Sequence, residues 1–369
     1  MKIALVTGSA GLIGSQACEF FHKKGYRIVG IDNDMRSYFF GDSASTNDSR
    51  ISLENGLENY KHYNVDIRDY NQLQNIFKSY SNNIEIVIHT AAQPSHDWAA
   101  KEPLTDFSIN ATGTINMLEL ARLNCPNATF IFTSTNKVYG DKPNFLDLKE
   151  METRWELKYD SYREDVERDW YFDGIGYGGS INEHLSIDNT KHSVFGASKV
   201  AADVMVQEYG KYFGMNTVVF RGGCLTGPNH AGAELHGFLS YLVKCIVNNK
   251  PYTIFGYKGK QVRDNIHSFD LINMFWEYHN NPKSGEVYNA GGGRENSISI
   301  LEAIDKINKI NGSSWKNYTI SDDNRIGDHI WYISDLSKFK KDYPTWDITI
   351  NLDEMLKQMV EFEKNKSKL

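Results

Sequence analysis

Cysteine is scarce in this chain of 369 residues, and positive charges are outnumbered by negative ones. The four cysteines, Cys18, Cys125, Cys224 and Cys245, are far apart and show neither a Cys-x-x-Cys pair nor the Cys/His spacing of a zinc site. We therefore expect no disulfide and no metal site, and interpret the cysteines as small buried hydrophobic residues. Lysine and arginine number 40 against 47 aspartates and glutamates, a net charge of −7, which argues against a nucleic-acid-binding protein.

Long apolar runs are also missing. No stretch reaches the roughly 20 consecutive apolar residues of a membrane-spanning helix, and no signal-peptide pattern accompanies the strand-like run at residues 3–6. We therefore expect a cytoplasmic protein without membrane attachment. At about 150 residues per domain, the length predicts two compact units.

Short β-rich segments alternate with amphipathic segments through the first two thirds of the chain. This alternation predicts an α/β fold, a doubly wound parallel Rossmann sheet with a smaller α+β substrate domain. The predicted strands are residues 3–7, 27–32, 62–66, 84–91, 129–134 and 216–221, and the predicted helices are residues 12–24, 70–80, 104–123 and 198–213.

The alternation stops in two later parts of the chain, and the stops suggest domain boundaries. We assign the Rossmann domain to residues 1–141 and 192–221, with 287–290 as a candidate additional strand. Residues 142–191, rich in charged and aromatic side chains and then in glycine, are interpreted as an insertion near the site. Residues 222–369 are assigned mainly to the smaller α+β substrate domain, with helices at 235–248 and 301–311 and a fraying charged tail at 363–369.

A glycine-rich turn lies between the first predicted strand and the first predicted helix. Residues 7–14 read TGSAGLIG, so that Gly8, Gly11 and Gly14 are three apart. Glycine lets the backbone turn tightly and approach a pyrophosphate, whose charge is stabilised at the positive end of the helix. Asp32 follows Gly14 by 18 residues, where a carboxylate accepts the adenosine ribose hydroxyls and repels a 2′-phosphate. The pattern predicts NAD rather than NADP, and the alternative is a packing turn with a capping aspartate.

The glycine spacing resembles that of the extended short-chain dehydrogenase/reductase family, and later motifs extend the resemblance along nearly the whole chain. Residues 66–69 read DIRD, 89–93 read HTAAQ and 133–140 read TSTNKVYG. The resemblance implies that Asn110 supports the active site, that Thr135 is the catalytic hydroxyl residue and that Lys199 is the lysine of the Tyr-x-x-x-Lys motif. The cofactor-contacting positions that it implies are Gly8, Gly11, Leu12, Ile13, Gly14, Asp32, Asp66, Ile67, Ala91, Ala92, Gln93 and Lys199.

Within that family the chain resembles the nucleotide-sugar epimerase branch, and most of all the CDP-paratose (or CDP-tyvelose) 2-epimerases. The similar segments are 134–141 (STNKVYGD), 198–203 (SKVAAD) and 259–264 (GKQVRD). The resemblance implies a nucleotide-diphosphosugar substrate, with a CDP-sugar favoured, and a homodimer formed through helices 104–123 and 198–213. The implied reaction is transient oxidation to a keto sugar, followed by return of hydride to the opposite face.

Two arginines clamp the substrate diphosphate in this branch, and Arg263 and Arg325 occupy the matching motifs. A guanidinium suits this task because its fork donates two hydrogen bonds to phosphate oxygens. The substrate-binding positions implied by the resemblance are His96, Thr135, Asn136, Arg263 and Arg325. The alternative for either arginine is a salt bridge at the surface or between domains.

One position departs from the family pattern. Phe195 stands where the catalytic tyrosine is expected, and a phenyl ring neither donates nor accepts a proton. Three interpretations stay open: another group is the base, the protein binds its ligand without turnover, or Phe195 is an engineered Tyr→Phe substitution. His96 is the candidate base because a histidine near its ordinary pKa accepts protons at neutral pH, and the alternative is that it only hydrogen-bonds the sugar.

Two further positions bear on the substrate and on the reaction. Cys224 stands where many nucleotide-sugar epimerases have a phosphate-contacting asparagine. Asn136 and Lys137 stand where a dehydratase would have an acidic pair. The sequence therefore predicts an NAD-dependent nucleotide-sugar epimerase, with a related dehydratase or reductase, or a non-catalytic NAD or sugar-nucleotide sensor, as the alternatives.

Overall fold

The computed structural model describes residues 1–158, 174–176, 179–228, 237–324 and 327–366. Its strands are, in chain order, β1 (Ile3–Thr7), β2 (Arg27–Ile31), β3 (Tyr60–Tyr63), β4 (Ile84–His89), β5 (Thr129–Thr135), β6 (Leu148–Glu150), β7 (Trp155–Leu157), β8 (Ile175–Gly176), β9 (Ser180–Ile181), β10 (Thr217–Gly222), β11 (Cys224–Thr226), β12 (Tyr252–Phe255), β13 (Val262–His267), β14 (Glu286–Ala290), β15 (Ser297–Ser299), β16 (Tyr318–Ser321) and β17 (Trp331–Tyr332). Its α-helices are α1 (Leu12–Lys23), α2 (Met35–Phe40), α3 (Asn47–Gly56), α4 (Tyr70–Tyr80), α5 (His96–Lys101), α6 (Pro103–Phe107), α7 (Gly113–Asn124), α8 (Ser193–Phe213), α9 (Phe238–Val247), α10 (Ser268–Asn280), α11 (Ile300–Asn311), α12 (Ser337–Asp342) and α13 (Leu352–Lys366).

The chain divides into two compact units. The first contains Met1–Val138, Val194–Arg221 and Ile272–Tyr288, and the second contains Tyr139–Ser193, Gly222–Leu271 and Asn289–Leu369. Each unit is built around its own cluster of buried apolar side chains.

A seven-stranded sheet is the centre of the first unit. Its strand order is β14-β10-β5-β4-β1-β2-β3, and the pairs from β3 through β5 are all parallel. Every residue of β1 is buried, as expected of a parallel strand covered on both faces. Because β2 and β4 flank β1, the loops that follow these three strands meet at one edge of the sheet, where doubly wound proteins bind their ligands. The predicted Rossmann fold is confirmed.

The prediction of one continuous helix over residues 104–123 is wrong. The structure instead has α6, a π-helical turn at Ser108–Thr112 and then α7. Within this π turn, the carbonyl of Asn110 accepts a hydrogen bond of 2.6 Å from the Thr114 hydroxyl. Such turns are common at functional sites, and this one carries Asn110.

Other element boundaries also differ from the predictions. The strand predicted at 62–66 ends at Tyr63, because Asp66 accepts the backbone N–H of Arg68 at 2.8 Å and turns the chain. The helix predicted from residue 198 begins at Ser193, so that it includes Phe195. The tail predicted to fray from residue 363 is helical through Lys366.

The second unit combines small sheets with three packed helices. β13 pairs in parallel with β11 and β17 and antiparallel with β15, whereas β12 and β16 form a separate parallel pair. Apolar side chains of α9, α11 and α13 form the core of this unit. α11 begins with a capping box, in which Ser299 and Glu302 satisfy each other's backbone N–H groups.

Within the described residues, no helix combines the length and the apolarity needed to cross a membrane. The same residues contain no group of three or more His, Cys, Asp or Glu side chains that would hold a metal ion. Cys18, Cys125 and Cys245 are buried, but the interpretation of all four cysteines as buried is wrong for Cys224, which is partly exposed at the start of β11.

Candidate functional site

The glycine turn between β1 and α1 packs so closely that its first and last glycines leave no space for a side chain. A Cβ on Gly14 would lie 2.0 Å from the carbonyl oxygen of Gly8, and a Cβ on Gly8 would lie 2.8 Å from the backbone nitrogen of Ala91. Gly8 also has a φ of +65°, which L-residues rarely adopt. The turn therefore holds the start of α1 directly against the ends of β1 and β4.

The first turn of α1 is free to receive an anion. Leu12 and Ile13 occupy its first two positions, whose backbone N–H groups have no acceptor within a helix. The N-cap residue Gly11 offers no side chain to them, and the first turn contains no acidic residue. The positive end of the helix dipole adds to this donor set. These residues fit the pyrophosphate of a dinucleotide.

Asp32 lies just beyond β2 and also supports the glycine turn. One carboxylate oxygen accepts the backbone N–H of Ala10 at 3.0 Å and the other accepts that of Asp34 at 2.9 Å. Burial raises the pKa of Asp32, and these two N–H groups oppose the rise. The carboxylate therefore acts as a cap, and each oxygen keeps acceptor capacity for a ribose hydroxyl.

Asp66 lies in the loop after β3 and is held by Arg68. The two guanidinium bonds are 2.9 and 2.6 Å long, and Asn33 donates a third bond of 3.2 Å. Burial raises the pKa of Asp66, but the bonds from Arg68 outweigh it and leave the pKa below its ordinary value. Ile67 is buried beside Gly113, where a Cβ would approach the Ile67 side chain to 2.5 Å. These two predicted cofactor-contacting residues are thus fixed in place.

A buried chain of hydrogen bonds positions the segment after β4. Ala91 donates its backbone N–H to Thr7 at 3.3 Å, and the Thr7 hydroxyl lies 2.6 Å from Nδ1 of His89. Nε2 of His89 lies 3.0 Å from the Thr114 hydroxyl. Burial, with a smaller contribution from the charge of Lys199, lowers the pKa of His89 to about 3. The histidine is therefore neutral and structural, and it fixes the backbone at Ala91.

Asn110 connects the β4 loop to the helix that carries Lys199. Its side chain accepts the backbone N–H of Gln93 at 2.9 Å and donates to the Gln93 carbonyl at 3.0 Å and to the Ser198 hydroxyl at 3.1 Å. Gln93 also donates to Asp106 at 2.7 Å. Burial raises the pKa of Asp106. The supporting role predicted for Asn110 corresponds to this buried network.

Lys199 is buried on α8 against the end of β5. Its Nζ donates to the carbonyl of Thr133 at 2.9 Å and lies 4.2 Å from the centre of the Phe132 ring. Burial lowers the pKa of Lys199 to about 8, although the charges of Asp203 and Asp106 oppose this shift. The ammonium keeps two further protons to donate.

Thr135, which is partly exposed, ends β5. The hydroxyl accepts the backbone N–H of Lys137 at 3.2 Å and lies 3.5 Å from the amide oxygen of Asn136. Asn136 itself is buried. Thr135 and Lys199 therefore come to the same strand end, as the motif spacing suggests.

Phe195 and His96 are in direct contact. Their ring centroids lie 4.9 Å apart with an interplanar angle of 72°, an edge-to-face arrangement. Phe195 is buried, whereas His96, the first residue of α5, is half-buried. The structure thus places a titratable ring against the position where the family has its tyrosine. Asp97, the next residue, points to solvent.

Asp203, one helical turn beyond Lys199, is a residue that the motif comparison missed. It is fully buried, is paired bidentately with Arg221 at 3.0 and 3.1 Å, and accepts the Ser134 hydroxyl at 2.7 Å. Through Ser134 it fixes the strand end next to Thr135. The signals of this role in the sequence are its place at the end of the SKVAAD segment and its spacing of four residues from Lys199.

The second unit carries the arginine predicted to bind a diphosphate. Arg263 is buried in β13, where it donates to the Val262 carbonyl at 2.8 Å and forms an ion pair with Asp328. Arg325 lies outside the described residues. Cys224 pairs in register with Asn265 across β11 and β13.

Comparison with known proteins identifies the family of the chain. Residues 4–159 and 176–291 match the NAD dependent epimerase/dehydratase family. The chain is 32% identical to the CDP-paratose 2-epimerase of Salmonella typhi over 82% of both chains, and 28% identical to the dTDP-glucose 4,6-dehydratase of Salmonella typhimurium over 83% of this chain and 78% of the other. A solved structure of UDP-glucuronic acid 4-epimerase from Bacillus cereus, in complex with UDP-glucuronic acid and NAD, is 25% identical with a TM-score of 0.76 and covers 99% of both chains.

These findings confirm two predictions made from the sequence. The first is the resemblance to nucleotide-sugar epimerases, and the second is NAD as the cofactor, which the glycine turn and α1 fit. The matched region covers the described parts of the NAD site and extends through β14. The chain belongs to the NAD dependent epimerase/dehydratase family.

Proposed function

We propose that this protein is an NAD-dependent epimerase of a nucleotide-diphosphosugar, and specifically a CDP-sugar 2-epimerase. The observation that carries the proposal is the buried contact of Lys199 with the end of β5 beside Thr135, in a chain 32% identical to a CDP-paratose 2-epimerase. The same unit contains the glycine turn and α1, which fit the NAD that such a reaction needs.

The reaction needs a hydride acceptor, a hydroxyl donor and a base. NAD, when bound, would supply a reversible hydride acceptor for oxidation of the sugar carbinol. Thr135 donates a hydrogen bond to the reacting oxygen, and Lys199 binds the nicotinamide ribose and holds positive charge near the proton that moves. His96 takes the proton of the sugar hydroxyl, because its titratable ring lies against Phe195, the position where the family has its tyrosine.

Two residues favour an epimerase over a dehydratase. A dehydratase is expected to place an acidic pair directly after the hydroxyl residue, and Asn136 and Lys137 occupy those positions. Asn136 is buried and its amide oxygen faces the Thr135 hydroxyl. An amide hydrogen-bonds a sugar hydroxyl but does not transfer a proton to a leaving group.

We assign the nucleotide-binding role to the second unit. Arg263 is buried with an acidic partner, Asp328, and a diphosphate is the competing acceptor that the planar fork of Arg263 matches. Arg325 is assigned to the same diphosphate from its motif alone. A CDP-sugar is favoured over UDP- and dTDP-sugars because of the relative named above.

We also propose that the protein forms a homodimer through helices of the first unit. Leu104 is 88% exposed and Tyr212 is 78% exposed, and Phe107, Leu123 and Phe213 are also solvent-exposed. Large apolar side chains exposed on α6, α7 and α8 favour a protein interface. Light scattering after size exclusion tests the proposal, and a monomeric mass at micromolar concentration contradicts it.

Turnover of CDP-paratose and CDP-tyvelose, followed by NMR, tests the proposed function. We expect the parent to interconvert the two sugars. His96→Ala should lose about 10²–10⁴ in rate, as is typical for a positioned base. The control His22→Ala, in the last turn of α1 and away from the glycine turn, should match the parent. Loss of activity in Phe195→Tyr would show that the phenyl ring is required beside His96.

The outcomes separate the alternatives. An inert parent that becomes active as Phe195→Tyr shows an epimerase disabled at residue 195. Loss of water from a dTDP-sugar, with no epimer formed, shows a dehydratase. A parent and a Phe195→Tyr variant that both bind CDP-sugars without turnover show the sensor.

A further inference from the structure

We propose that Tyr38, Phe39 and Trp98 form an aromatic clasp that closes over bound NAD and keeps it from dissociating between turnovers. Tyr38 and Phe39 belong to α2, which follows β2, and Trp98 belongs to α5, which follows β4. The inference rests on the NAD site of the proposed function, but not on the sugar or on the identity of the base.

The three rings are in direct contact. The centroids of Phe39 and Trp98 lie 4.6 Å apart, and those of Tyr38 and Trp98 lie 5.4 Å apart, both edge-to-face. The Tyr38 hydroxyl adds a hydrogen bond of 3.3 Å to Glu102, beyond the end of α5. Edge-to-face pairs are favourable beyond the area that they bury. The loop after β2 and the loop after β4 are therefore joined by side chains.

The strand order places this connection across the cofactor site. β2 and β4 lie on opposite sides of β1, and each neighbouring strand is about 4.8 Å away. We place the clasp over the carboxyl end of β1, where the glycine turn lies, because the two loops that it joins follow the strands on either side of β1. With the clasp in this position, a dinucleotide that has its pyrophosphate on the turn and extends from Asp32 toward Ala91 would pass between the turn and the clasp.

The α2 side of the clasp is anchored rather than loose. Asp34 precedes α2 in the left-handed conformation, with φ of +51°, and its carboxylate accepts three hydrogen bonds. These come from the Ser45 hydroxyl at 2.6 Å, the Thr46 backbone N–H at 2.8 Å and the Thr46 hydroxyl at 3.1 Å. These bonds tie the residues that follow α2 back to the residue that precedes it, and Phe39 packs against the core of the unit.

A clasp of this kind fits a catalyst that returns its hydride within each turnover. NAD is regenerated at the site, so fast exchange brings no benefit. Because the rings touch across the site, they must separate both for entry and for exit of the dinucleotide. The clasp therefore slows association as well as dissociation, whereas a residue that only contacts NAD affects mainly dissociation.

The test measures exchange of NAD in the full-length protein without any sugar. Protein loaded with tritiated NAD is mixed with an excess of unlabelled NAD, and the label left on the protein is followed by rapid desalting. Association is measured from the quenching of protein fluorescence by NADH, in the parent and in each variant. The variants are Trp98→Ala, Trp98→Phe and Tyr38→Ala. Trp276→Ala is the matched control, since its edge-to-face contacts with Phe20 and Phe21 are in the same unit but outside the clasp.

We expect Trp98→Ala to release NAD at least tenfold faster than the parent and to bind NADH faster. Tyr38→Ala, whose side chain is 61% exposed so that its loss leaves the core intact, is expected to release NAD about threefold faster. Trp98→Phe and Trp276→Ala are expected to stay within twofold of the parent. Release as slow as the parent's in both Trp98→Ala and Tyr38→Ala overturns the proposal, and so does equally fast release in Trp276→Ala. Absence of sugar turnover overturns the proposed function and leaves these rates unchanged.

Discussion

Substitution of Gly14 by alanine adds one carbon atom to the glycine turn and tests whether its close packing is needed for stability and for NAD binding. A Cβ at this position lies 2.0 Å from the Gly8 carbonyl oxygen, 2.7 Å from the Gly8 carbonyl carbon and 2.8 Å from the Ser9 Cα. All three are backbone atoms, so no side chain can rotate away. An ordinary contact is at least 3.4 Å, so α1 must move by more than 1 Å from the glycine turn.

The magnitude follows from overpacking of a closely packed interior. Such insertions cost about 1–3 kcal/mol, and a unit of this size loses roughly 2–4 °C in melting temperature per kcal/mol. We therefore expect Gly14→Ala to melt about 2–12 °C below the parent. Displacement of the first turn of α1 also removes donors from the pyrophosphate, and we expect at least a tenfold loss of NAD affinity, equivalent to about 1.4 kcal/mol.

Gly11→Ala is the matched control. Its Cβ lies 3.3 Å from the same Gly8 oxygen, a contact that needs a shift of only a few tenths of an ångström. Calorimetry gives the melting temperatures, and titration with NAD gives the affinities. Equal stability and affinity of Gly14→Ala and the parent, or a larger loss in Gly11→Ala than in Gly14→Ala, would refute the reasoning.

Three further substitutions probe the charged groups of the site. Asp32→Ala should weaken NAD binding by about 1.5–3 kcal/mol, the range for hydrogen bonds to a charged group. A titration in which the parent binds NADP more tightly than NAD would contradict the role assigned to Asp32. Lys199 has its pKa lowered from 10.5 to about 8, so between these values the unfolded chain holds the extra proton and stability rises with pH. The parent should therefore gain about 2 kcal/mol of unfolding free energy relative to Lys199→Met between pH 7 and 10, and a constant difference in urea unfolding would show that Lys199 is not desolvated. Arg263→Ala should weaken CDP binding about ten- to a hundredfold, as loss of a charge-assisted bond does, with NAD affinity unchanged; calorimetry that finds the parent's affinity for CDP places the diphosphate elsewhere.

The part of the site that follows one strand directly could be predicted from the sequence. The β1 strand, the glycine turn and α1 have strong local signals, because buried strand residues, glycine spacing and helical periodicity occur within about 20 residues. Asp32 could be placed from its distance to Gly14. The contact of Lys199 with β5 joins residues that are far apart in sequence, but it could be predicted because the family motifs contain both segments.

Features set by distant packing could not be predicted in this way. The π turn at Ser108–Thr112 depends on the fit of Gly113 against Ile67 and on the bonds of Asn110 to Gln93, which lie far apart in sequence. The clasp joins residues 38 and 98, and no local pattern relates these two positions. The contact of His96 with Phe195 is likewise visible only once α5 and α8 are packed.

The fate of hydrogen at the reacting sugar carbon tests the central claim most directly. CDP-paratose carrying deuterium at C2 is incubated with the protein in ordinary water, and the product is examined by NMR and mass spectrometry. Transient oxidation with return of the same hydride predicts CDP-tyvelose that keeps its deuterium at C2, with no added NAD. Loss of the deuterium to solvent would contradict the proposed hydride transfer, and absence of any epimer would contradict the proposed activity.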